Sequence, residues 1–424
     1  MTLLLGWPES HDFDTPVGFA PARPRVRTDK PLQDPNAEGH WLCIAPTGTG
    51  KSASFAIPQL LSYPGSVVAV DIKGELVATT ARYRRTLGEV LVIDPFQLVS
   101  DGSGALNPLS HISADSDSLI DDAHTMANLF SKEHLQGNTQ DPFWDQWGQD
   151  VIAALIVHAI CDEDPARRTL GQVYERFHAG DSYYELAIML DHMKVHPFTE
   201  SKLSTYLNLP DVTRGGVMAT VCQQLRTLAG EGVRRSLGGN SIDLAALSDG
   251  APSTIYLVLP PDRLHSHSPV VRLILTAVLQ RLLRRRQRPD PPTLLLVDEA
   301  GQLGAMPALS AAITLGRGFG IRAVLLMQSL AQLRNAYGDE HEAILENCSL
   351  LTMGKHTAFS MARQLADQGF GDVSAERLFG LSGRQVMIRT NGEPSRSLRK
   401  LDYRHDALFK GRFDGNPLYG TTAG

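Results

Sequence analysis

Cysteine is scarce in this chain: Cys43, Cys161, Cys222 and Cys348 are the only four among 424 residues, and no two form a C-x-x-C pair. Each lies in an apolar or helix-like stretch, which argues against a disulfide framework or a zinc site and for reduced packing residues. The closest histidine pair, His265 and His267, sits in a Ser/His loop without an acid or cysteine partner, so it reads as solvated loop. Long hydrophobic runs are also missing. The longest begins at Val151 and reaches Cys161 with only His158 interrupting, too short to span a bilayer. The N-terminus carries Leu3-Leu4-Leu5 but no basic leader and no extended apolar core, which speaks against a secretory signal. The expectation is a cytoplasmic protein without a transmembrane segment of its own.

Neither sign of charge dominates. The formal net charge is −6, so any contact with nucleic acid has to come from local basic surface in a pore or groove. Two clusters are candidates for DNA contact: Arg281, Arg284, Arg285, Arg286 and Arg288, and Arg82, Arg84 and Arg85. Helix-end arginines are usually a solvated face, and no aromatic interleaving offers a stacking platform for bases. There is no internal repeat and no low-complexity tract. With 42% hydrophobic and 20% charged residues, the composition is that of an ordinary globular protein with room for two or three domains.

What is present is an alternation of strand and helix patterns. Residues 8 to 40 are rich in Pro, Asp, Arg and Gly and read as an extended entry segment, with packing starting near Trp41. From there the order is strand (Trp41 to Ile44), loop and helix, strand (Ser66 to Asp71), helix from Glu75, and strand (Val90 to Asp94), the βαβαβ rhythm of a parallel sheet. The rhythm breaks after Asn107-Pro108. From Asp115 to Leu247 the periodicity is helical, over Asp121 to Phe130, Phe143 to Cys161, Gln172 to His178, Tyr183 to His192 and Val217 to Gly230, with a loop at Gly137 to Pro142. Strands return at Thr254 to Leu259, Leu294 to Val297, Ala323 to Met327, Leu350 to Met353 and Gln385 to Arg389. The fold class is therefore α/β, a mainly parallel sheet interrupted by an all-α insertion. The boundaries fall at 1–40 for the entry segment, 41–110 and 248–424 for the two parts of a nucleotide-binding domain, and 111–247 for the insertion.

Residues 45 to 52 read Ala-Pro-Thr-Gly-Thr-Gly-Lys-Ser, between a strand pattern and a helix pattern. In such a phosphate loop the backbone N–H groups of Thr47, Gly48, Thr49 and Gly50 wrap a phosphate, Lys51 reaches the β- and γ-phosphates, and the Ser52 hydroxyl ligates Mg²⁺. The octamer alone also fits a glycine turn before a helix, and Ala45 stands where the fingerprint has its first glycine. A second signal sharpens the reading: the apolar run Thr293 to Val297 ends in Asp298-Glu299, as a strand delivering an acid to the Mg²⁺ shell does. Asp298 would hold the metal's water and Glu299 would polarise the attacking water; a helix N-cap pair is the plainer alternative. Gln328, at the end of the strand Ala323 to Met327, either senses the γ-phosphate or caps the next helix. Arg317, in Gly316-Arg317-Gly318-Phe319-Gly320, is either an arginine finger for a neighbouring subunit or a helix-end arginine.

These motifs, in this order, resemble the type IV secretion coupling proteins, the TraG/TraD-like ATPases of conjugation and effector export. The resemblance rests on Ala45 to Ser52, Asp71-Ile72-Lys73-Gly74-Glu75, Asn107-Pro108 and Asp141-Pro142-Phe143-Trp144, then on Leu296-Val297-Asp298-Glu299 and Leu303-Gly304. It continues through Arg317 to Arg322, Gln328 to Leu333 and Asn416-Pro417, and so covers residues 41 to 420. It implies a RecA-like P-loop NTPase domain with an all-α domain that receives substrates, assembled as a homo-hexamer around a channel. It also implies ATP and Mg²⁺ at Lys51, Ser52 and Asp298, hydrolysis by Glu299, sensing by Gln328 and action of Arg317 in trans.

The partners implied are a relaxase–DNA complex, secreted effector proteins, the secretion-channel ATPases and a membrane-anchoring protein that would hold the chain at the inner face of the membrane. Two departures stand out. Family members usually begin with transmembrane helices, and the acid pair here is followed by Ala300-Gly301 where an aromatic is more usual. Two other functions fit the same residues: a nucleotide-gated substrate receptor with little turnover, and a cytoplasmic DNA translocase unconnected to secretion.

Overall fold

The computed structural model describes residues 2–9, 30–36, 38–99, 104–131, 142–178, 180–192, 194–390 and 392–418. Its strands are β1 (Leu4–Pro8), β2 (Leu32–Gln33), β3 (His40–Ile44), β4 (Val67–Asp71), β5 (Glu89–Ile93), β6 (Ser253–Val258), β7 (Thr293–Val297), β8 (Ile321–Met327), β9 (Cys348–Met353), β10 (Gln385–Arg389) and β11 (Arg396–Arg399). They form one sheet in the order β2-β1-β11-β10-β9-β3-β8-β7-β4-β6-β5. The section from β9 to β5 is parallel throughout, and β10, β11, β1 and β2 extend it antiparallel. The central strands β4, β6, β7, β8 and β9 are buried along their whole length. Continuous apolar strands of this kind belong to a sheet covered on both faces.

Side chains alternate across the sheet, so β3 sends Leu42 and Ile44 into one core and Trp41 and Cys43 into the other. Behind β3, a wide turn over Ser52–Ala56 runs into α1 (Ile57–Leu60), and α2 (Glu75–Arg85) follows β4. Between β5 and β6 every described element is helical: α3 (Leu119–Asn128), α4 (Pro142–Ile160), α5 (Leu170–His178), α6 (Ser182–His192), α7 (Pro197–Leu207), α8 (Asp211–Leu225), α9 (Glu231–Ser236) and α10 (Leu244–Ser248). The sheet then resumes with α11 (Leu264–Leu283), α12 (Pro307–Leu315) and α13 (Leu330–Tyr337) among its connections. Residues 151–160 of α4 are buried all round, which makes α4 the axis on which α3, α5, α7 and α8 pack. Its core is continuous with the sheet core containing Leu42 and Val68.

Two expectations are revised, and a third falls largely outside the described residues. Packing starts before Trp41: Leu3, Leu4, Leu5 and Trp7 are buried, and β1 joins the sheet beside β11, so 1–40 is not merely an extended segment. Its partner lies almost the whole chain away, where no local pattern can announce it. Helix α7 was not read from periodicity, because its apolar residues are spread around it. Of the expected Gly137 to Pro142 loop, residues 137–141 lie outside the described residues, and so does Asp141 of the Asp-Pro-Phe-Trp motif.

Candidate nucleotide site

The phosphate loop leaves β3 with its first residue tied across the sheet, the Ala45 N–H donating to the Met327 carbonyl at 3.0 Å. Gly48 (φ 79°) and Gly50 (φ 88°) take the left-handed backbone that side chains resist. Among the described non-glycine residues, positive φ occurs at Gln97 and Glu299, so Ala45 carries its methyl in an ordinary conformation. Lys51 is buried and its Nζ donates to the carbonyl of Ala45 at 2.8 Å and of Pro46 at 3.5 Å, resting on the loop itself. Thr47, Gly48, Gly50, Lys51 and Ser52 line a cavity of about 220 Å³. Thr49 does not line it: its hydroxyl turns back to the Pro46 carbonyl at 2.7 Å.

Asp298 and Glu299 line the same cavity. The strand order inserts β8 between β3 and β7, so the end of β8 lies between the loop and the acids. There the Gln328 Nε2 donates to the Glu299 carboxylate at 3.0 Å. The helix-capping alternative for Gln328 falls away, since the Ser329 hydroxyl caps α13 by accepting from the Gln332 N–H at 3.4 Å. Glu299 holds φ 51°, a left-handed conformation costing about 1–3 kcal/mol in a non-glycine residue and found chiefly where the geometry has a purpose.

Asp298 is 2% exposed; one carboxylate oxygen accepts the Glu299 N–H at 3.1 Å and the other has no partner. Burial, then the neighbouring Glu299 charge, push its pKa up to about 6. Asp71, at the end of the adjacent β4, is pushed up to about 7, mainly by burial, although it accepts the N–H groups of Val77 and Lys73. A buried carboxylate oxygen without a partner, beside a loop of N–H donors, is an acceptor suited to the water shell of a hard cation.

Sequence reasoning missed the C-terminal contribution. Tyr403, Arg404 and Asn416 line the cavity. The Asn416 amide donates to Glu75 at 3.2 Å, which joins the Asn416-Pro417 motif to the Asp71 to Glu75 motif. Lys73 and Glu75 also line the cavity, so they are part of the site rather than only a helix start. Lys400 is buried and its Nζ donates to the carbonyls of Thr49 and Gly354, each at 2.8 Å, bracing the phosphate loop from behind. Burial lowers its pKa to about 8. Gly301 has a packing reason: an added Cβ would come within 2.7 Å of the Gln332 Cβ, and the Gln332 side-chain oxygen Oε1 accepts the Gln328 N–H at 2.9 Å. Nothing local in the sequence marks Lys400; the Asn-Pro pair was visible as a motif, though without its contact.

Arg317 is not brought into this cavity. It lies in the turn before β8, at the strand-entry edge near Glu38, His40 and Cys348, and its Nη2 donates to the Asn347 carbonyl at 2.7 Å. The basic clusters are largely used within the fold. Arg84 is buried against the carbonyls of Tyr63 and Gly65, and Arg285 donates to the carbonyls of Leu247 and Gly320 and to Thr293. Arg82, Arg284 and Arg288 pair with Asp414, Asp122 and Glu38. These partners remove Arg84 and Arg285 from the candidates for DNA contact. No helix among the described residues is long and apolar enough to cross a membrane.

The model of the family described as "Type IV secretory system Conjugative DNA transfer" matches residues 22–360. The chain belongs to this family. Among curated proteins, this coupling-family chain is 26% identical over 306 residues to the conjugal transfer protein TraG of Agrobacterium fabrum, covering 70% of this chain and 45% of that one. It is 26% identical over 421 residues to the protein VirD4 of the same organism, covering 88% and 60%. The chain thus spans about half of the length of the curated relatives it matches. A solved structure described as the plasmid coupling protein TrwB in complex with ADP and Mg²⁺ superposes with a TM-score of 0.69 at 17% identity, covering 93% of this chain and 91% of that one. The fold is therefore RecA-like, a P-loop NTPase sheet carrying a helical insertion.

Proposed function

We propose that this chain binds Mg²⁺·ATP and hydrolyses it to deliver a relaxase–DNA complex or effector proteins to a type IV secretion channel. The observation that carries the reading is the meeting, in one cavity, of the phosphate loop with Asp298, whose buried oxygen is unpartnered, and with Glu299 held by Gln328. The membership of the family, the conjugal-transfer relatives and the ADP·Mg²⁺ complex of TrwB support the choice of ligand and of cargo.

Bound Mg²⁺·ATP would supply a γ-phosphoryl group open to attack by water. On this reading the chain's residues divide the work. The N–H groups of Thr47, Gly48 and Gly50 and the Lys51 ammonium hold phosphate, with Lys51 leaving the Ala45 carbonyl to do so, and the Thr49 N–H would join them only by leaving the Pro46 carbonyl. Ser52 and Asp298 hold Mg²⁺, Glu299 takes the proton of the attacking water, and Gln328 ties Glu299 to β8. Residues 41–110 and 248–424 form the motor and 111–247 the part that receives cargo. Arg317, at the far edge of the sheet, would act on the site of a neighbour in a homo-hexamer. A membrane-anchoring protein and the channel ATPases are the further partners proposed.

The test is steady-state ATP hydrolysis with and without single-stranded DNA, alongside particle mass. Turnover by a hexamer that rises with DNA and is lost in Lys51→Ala is expected. Tight nucleotide binding with negligible turnover under every condition would instead support a nucleotide-gated receptor.

A further inference from the structure

Away from the nucleotide cavity, the helical insertion meets α11 around a second, more enclosed cavity of about 170 Å³. Its wall includes Phe130 after α3, Asp145 of α4, Thr220 and Gln224 of α8, Arg226 in the following turn and Arg272 of α11. Arg272 is 0% exposed. Its Nη2 donates to the Leu129 carbonyl at 2.6 Å, at the C-terminal end of α3, while its Nε and Nη1 have no hydrogen-bond partner. Burial lowers its pKa to about 10, which still leaves it charged at neutral pH. Among the described residues no carboxylate lies within ion-pair distance of it; Asp145, on the same wall, gives an oxygen to the Gln224 amide at 3.1 Å.

A buried, charged guanidinium with N–H groups unspent is costly unless an anion meets it, and removing it from water without one costs several kcal/mol. The adjoining cavity offers the space for that anion, which the fully buried guanidinium would meet by a side-chain shift. Its size suits a side-chain-sized group. Arg226 and Arg272 outnumber Asp145 on the wall, which suits a small anion, and the planar guanidinium matches the planar fork of a carboxylate. Arg226 is exposed and borders the same cavity.

We infer that this cavity is a binding site for a carboxylate group, seated on Arg272 and bordered by Arg226. The group is either carried by an acidic residue of a polypeptide or presented by a small organic acid; both present the same oxygens to Arg272. The inference is independent of the nucleotide site.

The experiment is a thermal-shift and calorimetric titration of the whole chain with sodium N-acetylglycinate, which carries a single carboxylate, with neutral N-acetylglycinamide at matched ionic strength as control. The carboxylate is expected to stabilise the protein and the amide not to. Arg226→Glu, an exposed change that leaves the packing alone, is expected to weaken binding by roughly three-fold. Arg272→Gln is expected to weaken it by at least about ten-fold, the scale of a hydrogen bond to a charged group. Lys51→Ala should leave the response unchanged, which separates this site from the nucleotide cavity. Tighter binding of an end-blocked peptide with one central glutamate assigns the carboxylate to a polypeptide, and tighter binding of free N-acetylglycinate assigns it to a small acid. Equal effects of acid and amide, no response to either, or a response untouched by Arg226→Glu would overturn the inference.

Discussion

Asp298 carries two opposed demands that one residue has to meet. Its raised pKa, about 6, means that between pH 4 and 6 the folded chain keeps a proton that the unfolded chain has lost. The ligand-free protein therefore loses stability from this group as pH rises through that window, and the penalty is complete above it. Asp298→Asn is expected to raise the melting temperature of the ligand-free protein at pH 8 while abolishing hydrolysis, as functional sites often trade stability for activity. A scan showing the mutant less stable at pH 8 would contradict this. Conversely, Mg²⁺-dependent nucleotide affinity should fall as pH drops below about 6, and Asp298→Asn should remove that Mg²⁺-dependent step. Lys400 is the other residue on which the site leans. Lys400→Met leaves the Thr49 and Gly354 carbonyls without their donor, at about 1–3 kcal/mol for each buried group left unpaired. Nucleotide titration of that variant is expected to show weaker binding with an intact fold by circular dichroism.

At the scale of elements, the phosphate-loop helix is held by a strand that the sequence pattern does not reveal. Gln59 of α1 clamps β1 with both ends of its amide, accepting from the Leu4 N–H at 2.9 Å and donating to the Leu4 carbonyl at 2.7 Å. Trp7 then reaches Asp406 at 2.8 Å, so β1, β11 and the C-terminal segment brace the loop together. Gln59→Leu leaves two backbone groups of β1 unpaired in the core and is expected to lower the melting temperature measurably more than a surface change does.

What the sequence made legible here were the parallel strands, whose continuous apolar runs end in Ile44, Asp71, Val297 and Met327 and set the motifs at one sheet edge. What it hid were β1 and β11. Leu3-Leu4-Leu5 is too short to declare a strand, and Arg396-Ser397-Leu398-Arg399 reads as a polar loop until Leu398 is seen buried against β1. The same distance in sequence concealed Lys400, while Asp298, Glu299 and Gln328 stood out because each ends a strand.

Over the whole molecule, the insertion and the sheet share one core, with Val151 and Leu155 in the same cluster as Leu42 and Val68. A shift in the insertion therefore has a packed route to the sheet and to the edge that carries the phosphate loop, in place of a loose tether. Arg317 sits at the opposite edge, so its proposed role needs a second copy of the chain. Arg317→Ala is expected to leave nucleotide affinity unchanged and to lower turnover by about 10³-fold or more, the effect of losing an arginine finger, only at concentrations where oligomer forms. Turnover unaffected in the oligomer would exclude that role.

The most direct test of the central claim measures nucleotide affinity and ATP turnover together in the wild type and in Glu299→Gln. The account predicts that the variant binds Mg²⁺·ATP about as well as the wild type but turns it over roughly 10²–10⁴-fold more slowly, the range for loss of a general base. Unchanged turnover in Glu299→Gln, or a wild type that binds no nucleotide, would contradict it.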